Sequence, residues 1–285
     1  MLNKLIFEGI VAAVATPIKH NEIDEVSLIK HLDFLQKNGI VSILSGGTTG
    51  EFFSLGNRRR QELFEITRKN FNGELICNVS GTSLFDVRDE ILFVQDIGAN
   101  GITLIPPFYL ANAPAQGVIN FFNEAVSALK IPCMLYNFTK HTQNKITPQI
   151  LGCVPHAALK DSDRDEGLIA HTPAFLCGGD SQILDFYLKG AKGAVSVMAN
   201  YCPKLVVKIW EELQIGDEVG AKITQREIGN LAATFRKDDQ IARIKYALSK
   251  IIDGYPTEML PPLLEANGIA KAEIDVLFQK NCIFC

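Results

Sequence analysis

The chain has no marked excess of either sign of charge. Twenty-eight Lys and Arg stand against 32 Asp and Glu, a formal net charge of −4 over 285 residues. A basic field able to gather phosphates is therefore missing, and nucleic acid is not an expected partner. Long apolar runs are missing too. No stretch reaches the roughly 18 residues of a spanning helix, so no membrane partner is expected. Met1–Ile10 carries Lys4 and Glu8 and has neither the apolar core nor the small-residue cleavage site of a secretory leader. Cysteines are few and odd in number, seven, and Cys77, Cys133 and Cys177 sit in apolar stretches. Such cysteines are small buried hydrophobes rather than disulfide partners, which points to a reducing cytoplasm. No His or Cys pair has ligand spacing, so no metal site is expected. Disorder is excluded by composition, with 47% apolar and 21% charged residues. Linkers and low-complexity segments are also lacking.

What is present is an alternation of short apolar runs and longer helical patterns. Strands are expected at Gly9–Ala15, Val41–Leu44, Leu75–Val79, Ile102–Ile105, Pro132–Tyr136, Ala157–Lys160, Ala174–Cys177 and Gly193–Val197. Between them lie amphipathic segments such as Asn57–Asn70, Asp86–Ile97 and Gly117–Leu129, and Lys204–Leu213 closes the series. Eight strand–helix units over about 215 residues predict an α/β fold, a (β/α)8 TIM barrel. The strands are continuously apolar, as parallel strands covered on both faces are. A doubly wound open sheet would want its glycine fingerprint straight after the first strand, where Thr16-Pro17-Ile18 stands instead. The expected organisation is a catalytic barrel over residues 1–216 and a C-terminal helical extension over 217–285, packed on the barrel.

Active sites of such barrels lie at the C-terminal ends of the strands. There the sequence places Gly46-Gly47-Thr48-Thr49-Gly50-Glu51, Phe108-Tyr109, Tyr136-Asn137, Lys160-Asp161-Ser162, Gly178-Gly179-Asp180 and Ser196-Val197. Lys160 follows Ala157-Ala158-Leu159 and should project into the barrel mouth. Burial disfavours an ammonium and leaves a free amine able to attack a carbonyl, giving a Schiff base. Tyr136, one strand earlier, could reach the same volume and shuttle a proton. Bare amides and two hydroxyls in the Gly47–Gly50 loop suit a carboxylate. Each feature alone has an ordinary structural explanation; their joint placement on strands two, five and six carries the weight.

On these residues the chain resembles the family of dihydrodipicolinate synthase and N-acetylneuraminate lyase, the pyruvate-dependent class I aldolases. The likeness runs from about Gly9 to Leu264. It rests on Gly47-Thr48-Thr49-Gly50-Glu51, Tyr136-Asn137, Leu159-Lys160-Asp161-Ser162 and Gly190-Ala191-Lys192-Gly193-Ala194-Val195-Ser196. The resemblance implies a lyase in which Lys160 captures the keto carbon of pyruvate and Tyr136 relays protons. It implies that Gly47, Thr48 and Thr49 hold the pyruvate carboxylate, with Thr48 hydrogen-bonded to Tyr136, and that the Val195 carbonyl faces the bound keto acid. Tyr109 matches a tyrosine that reaches into a neighbouring subunit's site, so a homotetramer built as a dimer of dimers is implied. No cofactor is implied beyond the covalent lysine–pyruvate imine.

The aldehyde side of the site departs from both named branches. His141 stands where the lysine-biosynthetic branch carries an arginine for the aldehyde's carboxylate, and it lacks that fork of donors. Asp180 matches one member of the acidic pair that holds sugar hydroxyls in the sialic-acid branch, but Ser181 replaces the other. Gly254-Tyr255-Pro256 loosely resembles the branch acting on shorter sugar acids. The reading is therefore cleavage or formation of a 2-keto-3-deoxy sugar acid such as 2-keto-3-deoxygluconate. The alternatives are dihydrodipicolinate synthase, N-acetylneuraminate lyase, a dehydratase acting through the same imine, and a non-catalytic homologue. Of the remaining features, His20, His31, His156 and His171 read as surface or satisfied residues. Arg58-Arg59-Arg60 reads as a solvated face or a subunit contact. The tail Cys282-Ile283-Phe284-Cys285 reads as frayed chain rather than a prenylation box or redox pair.

Overall fold

A computed structural model describes residues 7–280. Ten strands form, in chain order β1 Gly9–Ala13, β2 Ile18–Lys19, β3 Glu22–Ile23, β4 Ser42–Ser45, β5 Glu74–Asn78, β6 Gly101–Leu104, β7 Cys133–Asn137, β8 Ala158–Asp161, β9 Phe175–Cys177 and β10 Gly193–Ser196. β2 and β3 make a small antiparallel hairpin whose two turn residues, His20 and Asn21, both take positive φ, as a tight hairpin turn requires. The other eight close into one parallel barrel in the order β1-β10-β9-β8-β7-β6-β5-β4. The expected barrel is thus observed, with strand ends within a residue or two of the expected ones. Val41 is excluded from β4 and faces solvent.

Helices alternate with the barrel strands. They are α1 Glu25–Lys37, α2 Asn57–Asn70, α3 Leu84–Asp96, α4 Ala115–Val126, α5 Thr139–Thr142, α6 Pro148–Cys153, α7 Ile183–Leu188 and α8 Pro203–Gln214. Their starts follow capping chemistry. The Asp24, Ser83 and Thr147 side chains accept the amides of Ser27, Asp86 and Ile150, and Pro148 opens α6 where no N–H is needed. Three more helices follow, α9 Glu218–Phe235, α10 Gln240–Ile251 and α11 Gly268–Lys280. Their buried Ile228, Leu231, Phe235 and Ile244 join the same apolar core that lies between barrel strands and outer helices.

Two-residue periodicity divides each barrel strand into an inward and an outward face. Val11, Leu44, Ile76, Met134, Ala158, Leu176 and Val195 pack together in the interior. Leu135 and Leu159 point the other way, into the layer under the helices. The barrel closes where Gly9 of β1 lies opposite Gly193 of β10. A Cβ on Gly193 would run into the Gly9 backbone, so this seam requires glycine.

Two expectations on polar residues need correction. Arg60 is buried, not solvated: its guanidinium donates to the Ser80 and Asn78 carbonyls (2.9 and 2.6 Å) and pairs with buried Glu90. Its neighbours keep to the surface as expected of the run, Arg58 exposed and Arg59 half-buried and paired with Glu22. For His31, expected at the surface or satisfied, the surface alternative falls: it is fully buried, edge-on to Tyr255 at 5.6 Å between ring centroids. Both follow from helix geometry, since every third or fourth residue turns inward whatever its type. Among the described residues, no helix is long and apolar enough to cross a membrane. The Cys282–Cys285 tail lies outside them.

Candidate active site

The strand pattern delivers the central pair. On β7, Met134 faces the interior and so does Tyr136, two residues on; on β8 the same step leads from Ala158 to Lys160. Register then sets Tyr136 directly beside Lys160. Both are buried, 5% and 6% exposed, and the Lys160 Nζ stands 3.9 Å from the centre of the Tyr136 ring. The other face of this unit is a brace. Asn137 and Asp161, adjacent in register and buried, are joined by a 2.7 Å hydrogen bond from Asn137 Nδ2 to Asp161 Oδ1. Asn137 also donates to Asp163 and accepts from the Ile146 amide, while Asp163 accepts the Thr139 amide and hydroxyl. Burial raises the Asp161 carboxyl above its ordinary range, and the Asn137 amide opposes the rise. The strand ends that carry the amine and the phenol are thus tied together.

A cavity of about 390 Å³ opens over this pair and is lined by Thr48, Thr49, Tyr136, Lys160, Ser162 and Val195 among others. The threonine loop is held from beneath. Gly50 N–H donates to the Gly47 carbonyl (3.0 Å), Glu51 N–H to the Thr48 carbonyl (3.1 Å), and Thr16 Oγ1 to the Gly50 carbonyl (2.9 Å). Asn78 fastens the Gly46 carbonyl. Opposite, Gly178 lines the cavity so closely against Ser162 and the Asp161 carbonyl that a Cβ has no room. Cys177 lines it too, but burial pushes its thiol up to about 12, which removes it as a thiolate nucleophile near neutrality.

Other expected residues fall differently. The phenol of Tyr136 is met by the Ser162 hydroxyl at 3.5 Å, in place of the expected bond from Thr48. Ser162 is the neighbour the sequence reading left without a role. Its place two residues beyond Lys160, on the same side, was the available signal. Asp180 borders the cavity, yet its Oδ2 accepts the Met198 and Val197 amides (3.1 and 3.3 Å) and so fixes the turn after β10. Burial raises its carboxyl, against the pull of Ser196 and those amides. Gly47 shapes the loop without lining the cavity. His141 lies outside the lining; its ring packs edge-on against Phe138 at 4.3 Å, because α5 carries it past the mouth. Tyr109 is 98% exposed, with φ +82°, and does not reach this protomer's cavity. The far wall comes from the extension and from the loop after β8: Arg164, Arg236 and Gln240 join Lys140 and Gln182 there. No local motif marks Arg236 or Gln240, since only the docking of α9 and α10 brings them to the mouth.

Known proteins resemble this chain in sequence and fold. The model of the dihydrodipicolinate synthetase family matches residues 6–281. The 4-hydroxy-tetrahydrodipicolinate synthase of Staphylococcus haemolyticus is 28% identical over 289 residues, covering 96% of this chain and 97% of that protein. The synthase of the same name from Methanococcus maripaludis is 28% identical over 272 residues, covering 90% and 93%. Among solved structures, a prophage protein of the dihydrodipicolinic acid synthase family from E. coli K12, in complex with pyruvate, superposes with a TM-score of 0.90. It is 22% identical, with 98% and 99% of the two chains covered. Dihydrodipicolinate synthase from Thermotoga maritima gives a TM-score of 0.90 at 20% identity over 98% and 99%. A match to the family model across nearly the whole length, together with the barrel and the inward lysine, shows that this chain belongs to the dihydrodipicolinate synthetase family.

Proposed function

We propose that the chain is a Schiff-base aldolase, a carbon–carbon lyase that handles pyruvate through Lys160, with a 2-keto-3-deoxy sugar acid as the longer substrate. The observation that carries this reading is the buried Lys160 amine beside Tyr136 in a cavity floored by the Thr48–Thr49 loop. The amine adds to C2 of the keto acid, and loss of water leaves a protonated imine. Thr48 and Thr49 hold the carboxylate, and the Val195 carbonyl faces the imine. In cleavage, Tyr136 takes the proton of the C4 hydroxyl, the C3–C4 bond breaks, and its electrons pass into the imine to give an enamine. An aldehyde leaves. A proton returned to C3 and a water added to C2 then release pyruvate and the free amine. Synthesis is the reverse sequence. Ser162, at the Tyr136 hydroxyl, continues the proton path.

For the aldehyde side, Gln182 and Gln240 on the cavity wall supply amides for hydroxyl groups, and the Tyr136–Thr142 segment holds no arginine. A second reading, dihydrodipicolinate synthase acting on pyruvate and aspartate semialdehyde, is favoured by the relatives' names and by Lys140, Arg164 and Arg236 at the mouth, which could meet a second carboxylate. Borohydride reduction with pyruvate should add a pyruvate-derived mass to Lys160, and Lys160→Ala should abolish it; an unlabelled wild-type chain overturns the aldolase reading. Assays of 2-keto-3-deoxygluconate cleavage and of the aspartate semialdehyde condensation, run side by side, decide between the two substrates. The reading includes a homotetramer in which the exposed Tyr109 completes a neighbour's site.

A further inference from the structure

The only fully buried ion pair among the described residues lies outside the cavity. Glu51 ends the threonine loop in a left-handed conformation, φ +59°, and is 0% exposed. Its partner is Lys245 of α10, also 0% exposed, from the C-terminal extension. The second carboxylate oxygen of Glu51 accepts the Leu260 amide at 3.0 Å, and the Lys245 ammonium also donates to the Glu258 carbonyl at 2.8 Å. The same stretch grips two neighbours of the loop. Ser54 Oγ donates to the Pro261 carbonyl at 2.9 Å, and the Glu258 carboxylate takes the His20 and Asn21 amides at 2.7 and 2.8 Å. The chain from 258 to 261 therefore lies under the loop that carries Thr48 and Thr49.

Such a pair is hard to explain as stability alone. Removing two charges from water is costly, and apolar replacements of similar volume are commonly as stable or more so. What an ion pair supplies that oil does not is direction: one carboxylate position satisfies both Lys245 and the Leu260 amide. Glu51 in turn donates its own amide to the Thr48 carbonyl, so a displaced Glu51 displaces Thr48.

We infer that Glu51 and Lys245 are positioning residues through which the C-terminal extension sets the Thr48–Thr49 loop for the carboxylate of the keto acid. This rests on the aldolase reading. The test uses the full-length chain and measures pyruvate-dependent adduct formation on Lys160 by borohydride reduction, together with kcat, KM and the melting temperature. The paired variant Glu51→Gln/Lys245→Met leaves no charge unpartnered and keeps an acceptor for the Leu260 amide. It should melt within a few degrees of wild type, yet need at least ten times more pyruvate for half-maximal adduct, with kcat at saturation falling less than threefold. Arg59→Ala, which removes the exposed pair with Glu22, should leave half-saturation unchanged. Should the paired variant not fold, Glu51→Asp decides: it keeps the charge, shortens the reach by one methylene, and should raise the half-saturating pyruvate by a similar factor. A folded variant with wild-type half-saturation overturns the positioning role. A wild-type chain that forms no adduct overturns the aldolase reading instead, and the positioning role with it.

Discussion

At the scale of single residues, Tyr136 has two separable parts. Its ring stacks on Phe138 at 6.0 Å and lies under the Lys160 amine, while its hydroxyl meets Ser162. Tyr136→Phe should keep the packing and lose the proton relay. We expect kcat to fall about 10²–10³-fold with the melting temperature nearly unchanged; a loss of stability that matches the loss of rate would assign Tyr136 to packing. His31 gives a pH prediction. Burial holds its imidazole down to about 3, only partly offset by backbone groups at Ala15 and Asn200. The unfolded chain takes up the proton near 6.5 and the folded chain does not. This contribution is therefore present above that pH and is lost as pH falls from about 6.5 toward 3. Urea melts between pH 4 and 7 should show His31→Asn with a flatter dependence than wild type, by up to about 1.4 kcal/mol per pH unit. An unaltered slope would mean that other groups carry the acid sensitivity.

At the scale of elements, the barrel's seam and the ends of β7 and β8 rest on different devices. β1 and β10 approach so closely at Gly9 and Gly193 that one extra methyl has nowhere to go. Gly193→Ala should cost about 1–3 kcal/mol or more by overpacking, read as a lower urea midpoint. Gly152→Ala, in α6 with open space around it, should be neutral or slightly stabilising. Equal effects at the two glycines would show that the seam tolerates a side chain. The ends of β7 and β8 are instead joined by Asn137, Asp161 and Asp163. The strands themselves were legible from their apolar runs, and Lys160 and Tyr136 from their places at the C-terminal ends of two of them. Arg60 was not legible, because a run of three arginines reads as solvated until the helix is seen to turn the third one toward Glu90.

For the molecule as a whole, Tyr109 stands out, at 98% the most exposed large apolar side chain among the described residues. An aromatic side chain this open contributes to chemistry only if another subunit covers it. Sedimentation should find a tetramer, and Tyr109→Phe should lower kcat at least about tenfold without changing the pyruvate adduct's site on Lys160. A monomer with full activity removes Tyr109 from the mechanism. The extension also acts at this scale, since α9 and α10 bring Arg236 and Gln240 to the mouth while Lys245 reaches under the threonine loop. By itself the sequence determined the parallel barrel, the strand carrying each candidate side chain, and the kinship of its lysine, tyrosine and threonine-loop motifs. The first two follow from periodicity and local chemistry, which act between residues a few positions apart, and the third is a likeness of motifs to a known family. Only tertiary structure decided that Ser162 rather than Thr48 meets the Tyr136 hydroxyl, that His141 turns away, and that Glu51 finds its cation 194 positions later. Those outcomes depend on how separate elements dock, and no local pattern encodes the direction in which a distant helix delivers its side chains.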